Sequence, residues 1–319
     1  MKVVITARNF SKPDTSALQM LRDANLEIID YSDQNCGTGT SVREMIRYLG
    51  DADIAITGLE PFSQEVIDAC PHMKMLSKRS IGYDSVDLAA CKRAGITVTR
   101  TTGAVEGAVA EHVLAYLLFF ARNISQQNAD MHAGIWHRSM AFGAKNRTLG
   151  LVGFGGIGKE IAKRAVPFGM HVLYYCRHPK PEWEQDYHVT YCPLNELLAA
   201  SDYVSVNVNL SDSTRGMFGA KQFAAMKPGS VFINIARSQI MDVSALKQAL
   251  DSGHLRGAGI DVFDTEPCTD SPLMDCPNAI LTPHTAPFTS ENFSAMNRTA
   301  AQNVLDYLNG HIQPVYQLV

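Results

Sequence analysis

The stretch "LVGFGGIGKEIAKR", residues 151–164, places Gly153, Gly155 and Gly158 in the spacing G-x-G-x-x-G. Four of the five residues 148–152, which precede Gly153, are apolar or β-branched, and a helical pattern follows the glycines. In such a setting the first glycine permits a tight turn and the second lets backbone N–H groups approach a pyrophosphate. The third glycine allows close helix–strand packing. The stretch therefore predicts a dinucleotide-binding βα turn, and a glycine-rich turn without a ligand is the alternative.

Strand-like runs alternate with helical patterns along the rest of the chain. The first hundred residues contain the runs "KVVIT", "LEIID", "DIAIT", "MKMLS" and "ITVTR", with helical stretches at residues 15–24 and 42–49. The second series of strands is "TLGLVGF", "HVLYYC", "YVSVNV", "SVFINI", "GAGIDVF" and "AILTPH". Strands that alternate with helices form βαβ units, so the pattern predicts an α/β fold with two doubly wound parallel sheets.

Two helical stretches set the expected domain organisation. Residues 106–123 are apolar on most faces and predict one long helix, buried between layers or at a subunit interface. Residues 290–308 predict a last helix that has no partner strand, which suggests a return to the first domain. We therefore expect hinges near Thr99 and Pro287, with one domain at 1–99 and 288–319 and a dinucleotide-binding domain at 100–287.

Composition excludes several classes of function. The net charge of −4 gives no electrostatic footprint for nucleic acid or an anionic membrane. Seven cysteines in 319 residues form no C-x-x-C pair, which indicates reduced thiols in a cytoplasmic protein rather than a disulfide framework or a zinc site. The first ten residues lack the pattern of a signal peptide, and the longest apolar run, residues 113–121, is too short to span a bilayer.

The end of the second strand bears on the choice of cofactor. An Asp or Glu at this place would bind the ribose 2′-hydroxyl of NAD, but "YYCRHPK" has no acid from Leu173 to Lys180. Cys176 stands where the acid would be, and Arg177 and His178 follow it. We therefore expect NADP as the preferred cofactor. NAD remains the alternative if Arg177 is only a solvated loop residue.

Three residues follow successive strand ends further along the chain. They are Arg237 in "INIARSQIMD", Glu266 in "DVFDTEP" and His284 in "LTPHTAP". The carboxyl ends of strands in a doubly wound sheet face the ligand crevice. Each residue alone has an ordinary structural explanation, but an arginine, an acid and a histidine at three such ends together indicate a catalytic site.

Taken together, these motifs resemble the D-specific 2-hydroxyacid dehydrogenase family over nearly the whole chain. The matching pieces are "SIGYDSVDLAACKRAGI" (80–96), "VAEH" (109–112), "LGLVGFGGIGKEIAKR" (149–164), "MKPGSVFINIAR" (226–237), "ALDSGHLRGAGIDVFDTEP" (249–267) and "LTPHTA" (281–286). The resemblance implies a Rossmann cofactor domain inserted in a flavodoxin-like substrate domain. It also implies a homodimer that forms through the helix at residues 106–123.

The resemblance also assigns roles to residues. Arg237 would bind the substrate carboxylate and carbonyl, His284 would be the general acid/base, and Glu266 would be its partner. Backbone N–H groups of Ser80, Ile81 and Gly82 would bind the carboxylate. Reduction of a 2-oxo acid by hydride builds charge on the carbonyl oxygen, so a proton donor is required there, and no metal is needed. Cofactor contacts are expected at Gly153, Gly155, Gly156, Ile157, Gly158, Cys176, Arg177, His178, Asn207, Asn209, Thr214, Ile235, Ala236, Arg237, Asp261, His284 and Ala286.

Several positions depart from the family pattern. Ser238 and Gln239 replace glycines, Asn207 and Asn209 replace a histidine and a proline, Arg100 and Val105 replace asparagines, Thr102 replaces a proline and Ala286 replaces a glycine. The loop "SIG" and the basic strand end are more similar to the family's glyoxylate and hydroxypyruvate reductases than to its phosphoglycerate dehydrogenases. A phosphoglycerate dehydrogenase-like enzyme and a nucleotide-sensing interaction protein of the same fold remain the alternatives.

Overall fold

The computed structural model describes residues 1–12, 14–34 and 36–319. Its strands are β1 Lys2–Ile5, β2 Glu27–Asp30, β3 Ile54–Thr57, β4 Met75–Lys78, β5 Thr97–Arg100, β6 Thr148–Val152, β7 His171–Tyr175, β8 Thr190–Tyr191, β9 Tyr203–Val206, β10 Val231–Asn234, β11 Gly257–Ile260 and β12 Ala279–Leu281. Its α-helices are α1 Ser16–Asp23, α2 Val42–Leu49, α3 Gln64–Asp68, α4 Leu88–Arg93, α5 Glu106–Ala121, α6 Ile124–His132, α7 Gly156–Ala165, α8 Pro181–Tyr187, α9 Leu194–Ala200, α10 Ala220–Ala225, α11 Val243–Asp251 and α12 Ser290–Leu308. Short 3₁₀ turns occur at Val166–Phe168, Ser238–Ile240 and Pro272–Asp275.

The chain divides into two compact units. Unit 1 comprises Met1–Val105, Thr265–Pro267 and Pro287–Val319, and unit 2 comprises Glu106–Asp264 and Cys268–Ala286. Unit 2 is therefore continuous except for three residues, and the helix α12 after it belongs to unit 1.

Unit 1 is built on a five-stranded parallel sheet with the strand order β2-β1-β3-β4-β5. Neighbouring side chains of a strand point to opposite faces, and β1 shows the consequence for the core. Val4 packs with the apolar side chains of α2, α3 and α4, whereas Val3 and Ile5 pack with those of α1 and α12. Both faces of the sheet are therefore covered, as a parallel sheet requires.

Unit 2 is built on a seven-stranded parallel sheet with the order β12-β11-β10-β9-β6-β7-β8. Counted from β6, the order is that of a dinucleotide-binding doubly wound sheet with one further strand, and it reverses between β6 and β9. Glycines in β11 let α5 lie directly against the sheet. A Cβ atom at Gly259 would lie 2.7 Å from Cγ of Tyr116, and one at Gly257 would lie 2.4 Å from Cε1 of Phe120.

The fold class predicted from the sequence is confirmed, but some element boundaries differ. The helix expected at 106–123 ends at Ala121, because Asn123 adopts a left-handed conformation with φ 52° and a separate helix, α6, follows. The strand β8 was not predicted, because two residues carry too little pattern to be recognised. No helix within the described residues is both long and apolar enough to cross a membrane.

Candidate active site

The glycine turn lies at the point where the strand order of unit 2 reverses. Strand β6 ends at Val152, and Gly153 follows with φ 103°, a conformation that L side chains rarely adopt. A Cβ atom at Gly153 would lie 2.7 Å from the backbone oxygen of Asn207, the residue that follows β9. Only glycine therefore lets the two strand ends approach each other this closely.

Gly158 fits the first turn of α7 against the glycine turn. A Cβ atom at Gly158 would lie 2.5 Å from the backbone oxygen of Gly153, so any side chain would force the helix away. Gly156 is also restricted, since its Cβ would lie 2.9 Å from Cγ of Glu106. Ile157 between them is half-buried.

The N-terminus of α7 is open. Gly155 and Gly156 are exposed, and a Cβ atom at Gly155 would meet nothing within 4 Å. Within the described stretch 155–159, no side-chain hydrogen bond caps the helix and no acidic residue stands in its first turn. Backbone N–H groups and the helix dipole favour an anion at such an end. These residues fit the pyrophosphate of a dinucleotide.

Basic and aromatic side chains surround the end of β7. Arg177 and His178 are exposed, and burial raises the pKa of the adjacent Cys176 thiol, which therefore stays neutral. The ammonium nitrogens of Lys159 and Lys180 lie 4.4 and 5.5 Å from the ring centroid of Trp183, which belongs to α8. Sequence reasoning did not assign a role to Lys159 or Trp183. The strand end carries cationic groups and a neutral thiol in place of an acid.

The loop after β9 is held by its own hydrogen bonds. The Asn207 amide donates to the Ser205 backbone oxygen at 3.0 Å, and the Ser205 hydroxyl donates to the Asn207 amide oxygen at 3.1 Å. The Thr214 hydroxyl donates to the Asn209 backbone oxygen at 2.7 Å. The Asn207 side chain, which replaces a residue usual in the family, thus helps to shape the loop, whereas Asn209 contributes its backbone oxygen.

Arg237 extends from the end of β10 on a buttressed backbone. The buried Asn234 amide donates to the Arg237 oxygen at 2.9 Å and accepts from the Ala236 N–H at 3.0 Å. The Arg237 guanidinium in turn donates to the Ala236 oxygen at 2.7 Å, and Ile235 is buried. Arg237 itself is half-buried.

His284 lies in a loop that is fixed on both sides. It adopts φ 54°, and its N–H donates to the Thr282 backbone oxygen at 2.9 Å. Asp261, fully buried after β11, accepts from the N–H groups of Thr285 at 2.8 Å and Ala286 at 2.9 Å. The residues before and after the histidine are therefore anchored.

The expected carboxylate-binding loop lies in unit 1. The Ser80 hydroxyl donates to the Gly82 oxygen at 2.7 Å, and the Ser80 oxygen accepts from the Thr101 N–H at 3.1 Å. Ser80, Ile81 and Gly82 are all half-buried. The preceding Arg79 is 9% exposed, and this burial lowers the pKa of its guanidinium to about 10.

The predicted site residues are divided between the two units. Unit 2 contains Arg237, His284 and all the expected cofactor contacts, whereas unit 1 contains the loop 80–82 and Glu266. The backbone oxygen of Glu266 accepts from the Thr38 hydroxyl at 2.6 Å. The proposed roles of these residues stay predictions.

The strand order, the glycine turn and its open helix N-terminus define a dinucleotide-binding doubly wound protein. The model of the family described as "D-isomer specific 2-hydroxyacid dehydrogenase, NAD binding domain" matches residues 114–286. The chain belongs to the D-isomer specific 2-hydroxyacid dehydrogenase family. It is an oxidoreductase with an NAD(P)-binding domain.

Within the family, the chain is similar over most of its length to several reductases. A glyoxylate reductase of Thermococcus litoralis is 36% identical over 260 residues, which cover 79% of this chain and 78% of the relative. Glyoxylate/hydroxypyruvate reductase B of Citrobacter koseri is 34% identical over 280 residues, or 86% of each chain. The crystal structure of a glyoxylate reductase from Paecilomyes thermophila matches with a TM-score of 0.87 at 28% identity, covering 100% of this chain and 98% of that one.

Proposed function

We propose that this protein is an NADPH-dependent reductase of a small 2-oxo acid, of the glyoxylate or hydroxypyruvate type. The observation that carries the cofactor choice is the end of β7, where a neutral thiol and exposed cationic groups replace an acid. The substrate class is supported by the glyoxylate and hydroxypyruvate reductases to which the chain is similar.

The proposed chemistry uses the residues at the strand ends. When bound, the reduced nicotinamide supplies the hydride. Arg237 would bind the substrate carboxylate through its planar, two-pronged guanidinium and polarise the carbonyl. The N–H groups of residues 80–82 would bind the same carboxylate. His284 would donate a proton to the carbonyl oxygen, and Glu266 would favour the protonated imidazole.

A homodimer is part of the proposal. None of the side chains of α6 is buried, and exposed apolar residues continue beyond it. Trp136 is 75% exposed and Met140 is 93% exposed. Such a concentration of apolar surface usually marks a contact with another chain. We assign it to a second copy of this chain, with α5 taking part in the same two-fold contact.

A cytoplasmic location is also proposed. Its support is the set of seven cysteines, none of which forms a disulfide within the described part of the chain. Free thiols persist in a reducing compartment.

Steady-state kinetics with a panel of 2-oxo acids, with NADPH and NADH side by side, tests the proposal. We expect turnover of glyoxylate or hydroxypyruvate and a higher kcat/KM with NADPH. Absence of turnover across the panel would favour an interaction protein of the same fold. A preference of the wild type for NADH would contradict the cofactor choice.

Arg177 provides the sharper test of cofactor choice. Arg177→Ala should raise KM for NADPH about 10- to 100-fold, because charge-assisted hydrogen bonds to a 2′-phosphate are lost. KM for NADH should change little, since NADH has no charge at that place. Arg22→Ala, an exposed arginine of α1, is the matched control. Combining Arg177→Ala with Cys176→Asp should shift preference further toward NADH by adding repulsion.

A further inference from the structure

A chain of polar side chains connects helix α5 to the loop that carries His284. The Thr282 hydroxyl donates to Oδ1 of Asp261. The Thr282 hydroxyl oxygen also lies 2.6 Å from the Tyr116 hydroxyl oxygen and 3.1 Å from Nε2 of His112. The two rings of α5 stack edge to face with their centroids 4.8 Å apart. All these residues belong to unit 2.

Counting protons fixes the direction of each hydrogen bond. A threonine hydroxyl has one proton and can accept two hydrogen bonds, whereas a carboxylate only accepts. Because Thr282 gives its proton to Asp261, Tyr116 and His112 must both donate to Thr282. His112 therefore carries its proton on Nε2. Burial raises the pKa of the Tyr116 phenol and lowers that of His112, so both groups stay neutral donors near pH 7.

The Asp261 carboxylate connects the Thr282 hydroxyl to the backbone of the His284 loop. Its oxygens accept the N–H groups of Thr285 and Ala286, the two residues directly after His284. Thr282 accepts the His284 N–H through its backbone oxygen. One residue, Thr282, thus contacts the loop from its side chain through Asp261 and from its backbone directly.

We infer that Thr282, held by Tyr116 and His112, is a positioning residue that fixes His284 for proton transfer. This inference rests on the proposed role of His284 as the acid. A hydroxyl at position 282 orients the carboxylate of Asp261, and the carboxylate orients the peptide groups that follow the imidazole. Small displacements of a catalytic group strongly reduce the rate without weakening binding to the same extent.

Thr282→Val tests the inference, because it removes the hydroxyl and keeps the volume and branching of the side chain. We expect kcat to fall about 10- to 100-fold, with the NADPH dissociation constant measured by calorimetry within about threefold of wild type. Thr282→Ser should restore kcat to within about threefold. Tyr116→Phe should lower kcat by a smaller factor. Tyr203→Phe is the matched control, since Tyr203 is a buried tyrosine whose hydroxyl contacts Arg256.

A double-mutant cycle with His284→Ala tests the positioning role of Thr282 separately from the proposed role of His284 as the acid. If Thr282 acts through His284, Thr282→Val should have little further effect on kcat in the His284→Ala protein. An undiminished effect in that background would overturn the positioning role alone. A wild-type kcat in His284→Ala would overturn the proposed acid and the positioning role with it.

Stability measurements complete the test. A lower Tm for Thr282→Val with an unchanged kcat and pH profile would show that the hydroxyl only stabilises the fold. If Thr282→Val does not fold, Tyr116→Phe takes its place in the same cycle. A wild-type kcat in a folded Tyr116→Phe protein would then contradict the inference.

Discussion

At the scale of single residues, the glycine turn and the His284 loop are built on opposite principles. Gly153 and Gly158 are required because backbone atoms occupy the space of any Cβ. His284 has a side chain yet adopts φ 54°, which for a residue other than glycine is held in place by the surrounding hydrogen bonds. The glycine turn thus depends on the absence of side chains, whereas the His284 loop depends on hydrogen bonds that hold a side-chain-bearing residue in a left-handed conformation.

Two alanine substitutions separate folding from ligand access in the glycine turn. Gly158→Ala should destabilise the protein by about 1–3 kcal/mol, because the new methyl group overlaps the Gly153 oxygen. Gly155→Ala should leave Tm almost unchanged, because its methyl group meets nothing within 4 Å, yet it should weaken dinucleotide binding. Thermal unfolding and calorimetric titration with NADPH measure both. Tight binding by Gly155→Ala would show that the pyrophosphate does not lie there.

His284→Ala should lower kcat about 10²- to 10⁴-fold, the usual contribution of a positioned acid–base group. Cofactor affinity should change little. His188→Ala is a suitable control, because His188 is exposed and also left-handed, with φ 52°. A near-normal kcat in His284→Ala would place the acid elsewhere.

At the scale of elements, the sequence predicts the position of an element best where its pattern is long or specific. The glycine turn and the terminal helix α12 were placed closely from the sequence, because each carries a long or specific pattern. The end of α5 was not, because Asn123 leaves the helix through a backbone conformation that hydrophobic pattern does not encode. The Thr282–Tyr116–His112 contacts join residues about 170 positions apart, so the motif "VAEH" indicated the helix but not its role.

Helix α5 should make the stability of the protein sensitive to pH. Burial lowers the pKa of His112 below its ordinary value of 6.5, and Asp261 only partly opposes this shift. The unfolded chain therefore binds a proton more readily than the folded one, so stability is full above about pH 6.5 and falls as pH drops through the folded pKa. Urea unfolding between about pH 7.5 and 5 should show a shallower decline for His112→Gln. His171→Gln, an exposed histidine, should follow the wild type.

At the scale of the whole molecule, the alternation of strands and helices predicts two doubly wound parallel sheets but not the order of the strands within each sheet. The sequence predicts a homodimer only through the family resemblance, at the helix of residues 106–123, because it does not show which apolar side chains are exposed on the folded surface. Residues 124–142 illustrate this, because their sequence does not distinguish a buried helix from one whose apolar side chains face solvent. The structure adds the exposures of Met131, Ile135, Trp136 and Met140, which are 56%, 52%, 75% and 93%.

Light scattering at micromolar concentration should give twice the chain mass of 34.9 kDa. Trp136→Glu and Met140→Glu should shift the mass toward that of one chain, because a buried, unpaired charge disfavours the contact. Val315→Glu, at a residue 57% exposed in unit 1, is the control and should leave the mass unchanged. The mass of one chain for the wild type would rule out the dimer.

The only two tryptophans of the chain occupy very different surroundings, and this gives the protein two independent optical reporters. The ring centroids of Trp183 and Phe154 lie 5.5 Å apart, and Phe154 stands between the first two glycines of the turn. Trp136, by contrast, is 75% exposed. In Trp136→Phe, all indole emission would come from Trp183 beside the glycine turn, so quenching on addition of NADPH would report binding at that turn. In Trp183→Phe, the remaining long-wavelength emission would shift to the blue only when a second chain removes water from Trp136. Ligand binding and self-association would then be read separately from one chain, without an attached dye.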